Sequence, residues 1–199
     1  MRLHESLTTP DINIQADMRV ISLNVGRPRI VDWHGKPVLT SIWKDPVEGA
    51  VTVAGVNLFG DEQSDLTVHG GPRKAVYAYP SEHYAYWRRE LPDADLHWGA
   101  FGENLTTEGL LEADVAVGDR FRIGSAELVI TQPRMPCYKL GIRFGDDLMV
   151  KRFMQSGRSG FYFSIAEAGE IRAGDSIVRL SRGEDSTSIA DLFAANLKD

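Results

Sequence analysis

A single cysteine, Cys137, is all the thiol chemistry this chain of 199 residues contains. One thiol closes no intramolecular disulfide, builds no all-thiolate zinc site and ligates no ordinary four-cysteine iron–sulfur cluster. Redox chemistry that needs such a cluster must come from another chain. Long hydrophobic runs are missing too. No stretch approaches the ~18 apolar residues of a spanning helix, and Met1 to Asp17 has no apolar core suited to secretion. Cytoplasm is therefore the expected compartment, and no membrane partner is expected. Positive charge is scarce: 22 Lys and Arg stand against 28 Asp and Glu, a net charge of −6. Nucleic-acid binding needs a basic stripe that releases counterions from phosphates, so no nucleic-acid partner is expected. The Gly-x-Ser-x-Gly elbow, His-Glu-x-x-His, an Asp-rich calcium loop and the Walker and dinucleotide fingerprints are all absent, which counts against the common hydrolase and nucleotide-binding classes.

What is present reads as one globular domain. Hydrophobic residues make up 43% and charged residues 25% of the chain, near the globular average, and the length falls within the usual range of a single core. Residues 1–17 are polar and aperiodic and read as an N-terminal extension. From Met18 the apolar pattern suits strands: Met18–Val25, Ile30–Trp33 with Val38–Trp43, Val51–Leu58, Glu127–Gln132 and Phe161–Ala166. Val115–Ile123 and Ile171–Leu180 resemble each other, each placing Gly-Asp between apolar runs as a strand–turn–strand unit. Repeated short strands separated by turn residues predict a mostly-β barrel with a few peripheral helices rather than βαβ units. Helices are predicted over Pro80–Leu91, from Asp146 or Asp147 to about Gln155 with Gly157 as the stop, and over Thr187–Leu197. The expected organisation is an extension (1–17), a barrel domain (18–182) and a helical appendage (183–199).

Three segments carry candidate chemistry. In Gln132-Pro-Arg-Met-Pro-Cys-Tyr-Lys-Leu140, prolines fix the backbone around Cys137, with Arg134 and Lys139 as cationic neighbours. Cations favour thiolate, the form that acts as nucleophile or metal ligand. A lone cysteine is more often a small buried hydrophobe, but its place in a Pro-Arg-x-Pro-Cys loop after a strand favours a site. In His69-Gly70-Gly71-Pro72-Arg73-Lys74, paired glycines let backbone N–H groups converge on an anion with cations close by, although Gly-Gly-Pro alone reads as a tight turn. His69 taken by itself is more often a hydrogen-bonded structural histidine than a ligand. Ala100-Phe-Gly-Glu-Asn-Leu105 offers an acid and an amide, Asn104, that either orient a polar ring or fix the loop. Tyr77, Tyr79, Tyr84, Tyr86 and Trp87 read as core and helix-face packing.

Taken in order, Thr67-Val-His-Gly-Gly-Pro-Arg-Lys-Ala-Val-Tyr-Ala-Tyr-Pro-Ser-Glu-His-Tyr84, Phe101-Gly-Glu-Asn-Leu105 and Gln132–Leu140 resemble the MOSC family, in its YiiM-like subgroup. The likeness runs from about Met18 through Leu180. It implies a strand-rich MOSC-type β-barrel with a cleft for the molybdenum cofactor (molybdopterin). Cys137 corresponds to the cysteine that ligates molybdenum, or that carries sulfur as a persulfide, in similar proteins. Lys74, Arg134 and Lys139 are implied holders of the pterin phosphate, with His69, Gly70, Gly71 and Asn104 lining the cleft. The resemblance further implies a molybdenum-dependent oxidoreductase that reduces small N-hydroxylated compounds such as hydroxylaminopurine-type bases, with Cys137 and His69 as the catalytic residues. Electrons would come from a separate flavin or iron–sulfur reductase. The alternative is a carrier or binding module that delivers molybdenum cofactor or persulfide sulfur without turning over an organic substrate.

Overall fold

The computed structural model describes residues 17–63, 70–184 and 186–197. In chain order the elements are β1 (Arg19–Val25), the hairpin of β2 (Arg29–Trp33) and β3 (Lys36–Thr40), β4 (Asp45–Pro46), β5 (Val51–Ala54), β6 (Asn57–Leu58), a 3-10 turn at Pro72–Lys74, β7 (Val76–Pro80), α1 (Glu82–Glu90), β8 (Leu105–Glu108), β9 (Arg120–Ile123), β10 (Ala126–Pro133), α2 (Tyr138–Phe144), α3 (Met149–Ser156), β11 (Phe161–Glu167), β12 (Gly169–Ile171), β13 (Ile177–Ser181) and α4 (Ile189–Ala195). The fold is mixed but mostly β, with four α-helices among the described residues.

The principal sheet has eight strands in the order β13-β9-β10-β11-β7-β8-β1-β4, and smaller sheets are formed by β12-β5-β6 and by β2-β3. A closed barrel, expected from the sequence, is not formed among the described residues. The sheet curls until β1 meets the approach to β13, where one isolated bridge pairs Arg19 with Ser176 and Ile177 N–H donates to the Met18 carbonyl at 2.7 Å. There the turn at Gly174-Asp175 faces β1, with Val20 N–H donating to the Asp175 carbonyl at 2.9 Å and Gly174 N–H to the Val20 carbonyl at 2.8 Å. A turn offers no ladder to extend, so β13 and β4 remain the outer strands of this sheet.

One pairing departs from the antiparallel pattern: β7 and β8 run parallel, Ala78 opposite Leu105, with α1 between them in sequence. This is a βαβ unit where none was predicted. The physical signature is in β7, all five of whose residues are buried. Val76 and Ala78 face the main apolar core, while Tyr77 and Tyr79 face a second, aromatic one with Tyr84, Trp87, Phe101 and Phe153. A strand covered on both faces reads as a continuous apolar run, as parallel strands do. The predicted aromatic cluster is thus chiefly core, and Trp87 donates its indole N–H to the Tyr79 hydroxyl at 2.6 Å, satisfying a polar group that burial would otherwise penalise.

Pro80 ends β7 instead of opening α1, and Val51–Leu58 is the short hairpin β5–β6 rather than one strand. Helix α2, directly after Cys137, was not predicted: its seven residues are too few to show a period. The other two helices fall close to the expected spans, although α3 starts at Met149 with Leu148, not Asp146 or Asp147, as its N-cap. Gly157 closes α3 in the left-handed conformation, and α4 buries Ile189 and Phe193. Asp146 accepts from Leu148 N–H at 2.8 Å, just ahead of α3.

Gly160 is a point of close approach beside β7, where the two cores meet. Its φ is +61°, and an added Cβ would lie 2.4 Å from the Ala78 carbonyl and under 3 Å from the rings of Tyr77 and Tyr79. Gly157 has a similar φ of +68° but open space around it. Gly160→Ala should therefore lose about 2–5 kcal/mol, combining left-handed strain with overpacking, whereas Gly157→Ala should lose about 1 kcal/mol. Chemical denaturation of both variants checks the order, and equal losses would contradict it.

Candidate functional site

The loop that leaves β10 carries Arg134 and Cys137 and enters α2, with Lys139 in its first turn. The same space is bounded by Thr40 at the end of β3, Ser41, Ile42 and Lys44 beyond it, Asp61 and Gln63 after β6, Lys74 at the end of the 3-10 turn, Tyr77 on β7, Gly102 and Asn104 ahead of β8, and Tyr162 on β11. These residues enclose a cleft of about 620 Å³, counting the part open to solvent. Of the residues singled out in the sequence, Cys137, Arg134, Lys139, Lys74 and Asn104 meet here. Gly70 and Gly71 are described but are not on this wall. Gly71, with φ +89°, instead opens the 3-10 turn that brings Lys74 to the cleft, Lys74 N–H donating to the Gly71 carbonyl at 3.0 Å. His69 lies outside the described residues.

Arg134 dominates the electrostatics. Its side chain is buried at 6% exposure, its guanidinium lies 4.8 Å from the Tyr77 ring centroid and 5.1 Å from that of Phe153, and its Nη1 has no hydrogen-bond partner among the described residues. Burial works against its charge, but Tyr77, Tyr162 and Cys137 around it hold its pKa above the ordinary arginine value. A permanently charged donor with an unmet hydrogen-bonding position, seated on aromatic faces, is suited to an anionic group.

The far wall is fixed by two carboxylates that the sequence did not single out as a pair. Asp61 accepts from Gly26 N–H at 2.8 Å, from Asn104 Nδ2 at 2.9 Å and from the Lys44 ammonium. Lys44 is itself buried; burial lowers its pKa, and Asp61 opposes that shift. Asn104 uses its amide fully, accepting from Tyr77 N–H at 3.1 Å and donating to Asp61 and, at 3.3 Å, to the Asn24 carbonyl. Of the two open readings of this motif, Asn104 acts here as a strut between β1, β7 and Asp61. Its neighbour Glu103 is a loop anchor, fully buried and accepting from Gly99 N–H at 2.8 Å, Phe101 N–H at 3.1 Å, Thr106 Oγ1 at 3.0 Å and the Tyr84 hydroxyl. Burial pushes its carboxyl above the usual range while these donors pull the other way.

No group of three or more His, Cys, Asp or Glu able to hold a metal ion is found among the described residues. Among the described residues the chain offers a metal at Cys137 no ready-made ligand set, which suits a metal carried by an organic cofactor. The cleft suits one of anionic character, because it joins a thiol to Arg134, Lys74 and Lys139 and leaves Arg134 Nη1 unmatched among the described residues.

The MOSC domain model matches residues 65–178, more than half the chain. The chain belongs to the MOSC family. This MOSC chain is 45% identical over 180 residues to YflK of Bacillus subtilis, an alignment covering 90% of it and 81% of YflK. It superposes on the crystal structure of YiiM from Geobacillus stearothermophilus with a TM-score of 0.74 and 36% identity, over 90% of this chain and 83% of that one. It is also 34% identical over 161 residues to a protein of Gibberella moniliformis named Reductase, covering 79% of this chain but only 28% of that one. Among the described residues of the MOSC chain, no helix is long and apolar enough to cross a membrane.

The Asp61–Lys44 pair yields a prediction. Asp61→Asn leaves a buried ammonium without its counter-charge and should cost about 3–5 kcal/mol. The double variant Asp61→Asn with Lys44→Met should lose less than Asp61→Asn alone, since the stranded charge is gone. Urea unfolding of the single and double variants measures this, and simply additive losses would show that the two side chains are not coupled.

Proposed function

We propose that this MOSC chain binds the molybdenum cofactor through Cys137 and reduces N-hydroxylated compounds, hydroxylaminopurine-type bases among them. The observation that carries the reading is the buried Arg134, with Nη1 unmatched, in the same cleft as the only cysteine. Family membership and the relative named Reductase support oxidoreductase chemistry. Reduction of an N-hydroxyl to an amine consumes two electrons and two protons and releases water. When bound, the cofactor supplies the two-electron, oxygen-accepting part of that reaction.

The chain's own residues have separable tasks. Cys137 anchors the metal through its thiolate. Arg134 offsets the negative charge of the bound group from a position that Tyr77 and Phe153 hold, and Lys139 and Lys74 extend that positive wall toward the cofactor's phosphate. Asn104 keeps Asp61 in place and so the spacing of the two walls. His69 is the proposed acid that protonates the departing oxygen. The electrons come from a separate flavin or iron–sulfur reductase, because this chain has neither cluster cysteines nor a dinucleotide fingerprint of its own. The acidic surface implied by the net charge of −6 suits a basic patch on such a partner.

A second reading has its own support: Cys137 is partly exposed, and its neighbours Met135 and Tyr138 are 42% and 55% exposed, which suits delivery of sulfur or cofactor to another protein. Expression in a host that makes the cofactor, followed by molybdenum and pterin analysis, tests the proposal. Wild type should carry both; Cys137→Ala should lose the metal while keeping its fold, since one thiol leaves only a small void; and Arg134→Met should retain less pterin. Loaded wild type with an artificial reductant should consume hydroxylaminopurine. Wild-type metal content in Cys137→Ala would overturn the anchor, and sulfur transfer without base reduction would favour the carrier.

A further inference from the structure

The aromatic core beside β7 holds more hydroxyls than packing requires. Phe101 and Phe153 show that phenylalanine fills this space, yet Tyr79 and Tyr84 bury phenols there, against the cost of taking a polar group out of water. The oxidisable rings also form a continuous line. Tyr162 and Tyr77 line the cleft with Cys137, their centroids 5.2 Å apart. Tyr77 lies 6.1 Å from Tyr79, Tyr79 6.0 Å from Tyr84, and Tyr84 4.6 Å from the half-buried Trp98. Electronic coupling between rings falls steeply with distance, so one-electron steps follow such a line. Phenylalanine, which is far harder to oxidise, packs equally well but carries no such step.

Oxidising a phenol makes its proton strongly acidic, and the oxidised state rests where a base takes that proton. The Tyr77 hydroxyl donates to the Ser159 carbonyl at 2.9 Å, which cannot hold a proton, and the Tyr79 hydroxyl accepts from Trp87. The Tyr84 hydroxyl donates to the Glu103 carboxylate. The other partners of Glu103, namely Gly99 N–H, Phe101 N–H and Thr106 Oγ1, are donors as well, which favours its ionised form, while burial makes it a stronger base than an exposed carboxylate. Neighbouring cations point to the same ring. The guanidinium of Arg134 lies 4.8 Å from the Tyr77 centroid and that of Arg88 5.6 Å from the Trp98 centroid, so positive charge is disfavoured at both ends of the line. Arg88 is also 5.7 Å from the Tyr84 centroid, but a tyrosyl radical that has given up its proton is neutral.

We propose that Tyr84, with Glu103 as its proton acceptor, is a redox-active tyrosine that takes one-electron oxidising equivalents from the cleft by way of Tyr77 and Tyr79 and is re-reduced from solution by way of Trp98. A one-electron oxidant in the cleft, a thiyl radical of Cys137 for instance, gains the electron and becomes thiolate. Tyr84 loses that electron, its O–H bond breaks and the proton passes to Glu103, leaving a neutral tyrosyl radical and a neutral carboxyl. A small reductant in solution, ascorbate or a thiolate, then returns one electron through Trp98, and Glu103 returns the proton. The cleft thiol is thereby spared. This goes beyond the function proposed above and needs neither molybdenum nor substrate.

Because Cys137 is the only cysteine and is partly exposed, a ruthenium polypyridyl photo-oxidant coupled to it sits at the cleft alone. Flash excitation of the labelled full chain with an electron-accepting quencher, followed by transient absorption and electron paramagnetic resonance, reads the radicals formed. Wild type should give a neutral tyrosyl radical at a rate independent of buffer concentration, since the proton stays inside the protein. Tyr84→Phe should lose that signal. Trp98→Phe should form as much radical as wild type but lose it more slowly to added ascorbate. Circular dichroism checks the fold of Tyr84→Phe, and if that variant does not fold, the wild-type buffer series and Trp98→Phe decide. No tyrosyl radical in wild type, or a signal of full size in folded Tyr84→Phe, would overturn the assignment to Tyr84. A rate that rises with buffer concentration would overturn Glu103 as the acceptor, and unchanged ascorbate decay in Trp98→Phe would overturn the route to the surface.

Discussion

The cleft depends on one carboxylate. Asp61 draws together the Gly26 backbone where β1 ends, the Lys44 ammonium beyond β3, and the Asn104 amide ahead of β8. These points lie far apart in sequence, in the connectors that follow β1 and β3 and precede β8, so no local preference holds them together. Because all three partners are donors and the site is buried, losing the acceptor would leave each with an unmet bond and Lys44 with an unmet charge, and it is this asymmetry that makes the wall rigid. Glu103 does the same for the adjoining loop with its backbone and hydroxyl donors. The wall facing Cys137 is therefore set before any ligand arrives.

The opposite wall follows different physics. Arg134 lies over Tyr77 and Phe153, and its buried Nη1 finds no partner among the described residues. Native interiors seldom leave a buried donor unmatched, and where they do a functional reason is the first to consider. The β7 strand explains why such an arrangement is affordable. With one face in each core, β7 is held on both sides, and Tyr77 projects from it into the cleft as a fixed platform.

Much of this site was legible in the sequence, for a definite reason. Cys137, Arg134 and Lys139 occur within one short loop segment, and Lys74 and Asn104 belong to two other compact motifs, so adjacency and order were enough to single them out; all five reach the cleft. Ser41 fell inside an expected strand, Val38–Trp43, that in fact ends at Thr40, and Lys44, Asp61 and Gln63 sit in connectors that acquire meaning only when tertiary folding brings them together. The one available hint was the position of Asp61 and Gln63 in the acidic stretch Gly60-Asp-Glu-Gln-Ser-Asp65 ahead of the Gly-Gly-Pro segment. The same contrast holds for the fold. The mostly-β character and the amphipathic helices follow from period and length. The parallel crossing of β7 and β8 and the sheet's failure to close follow from which faces are covered and which turn meets β1, neither of which strand-by-strand reading supplies.

The central claim is that the Cys137 thiolate is a ligand of the bound metal within a cleft charged for an anionic cofactor. X-ray absorption at the molybdenum edge, on wild type and Cys137→Ser loaded in the same host, tests it most directly. With the thiolate as a ligand, the variant has one sulfur neighbour fewer and an otherwise unchanged sulfur shell. An identical sulfur shell in both would contradict it.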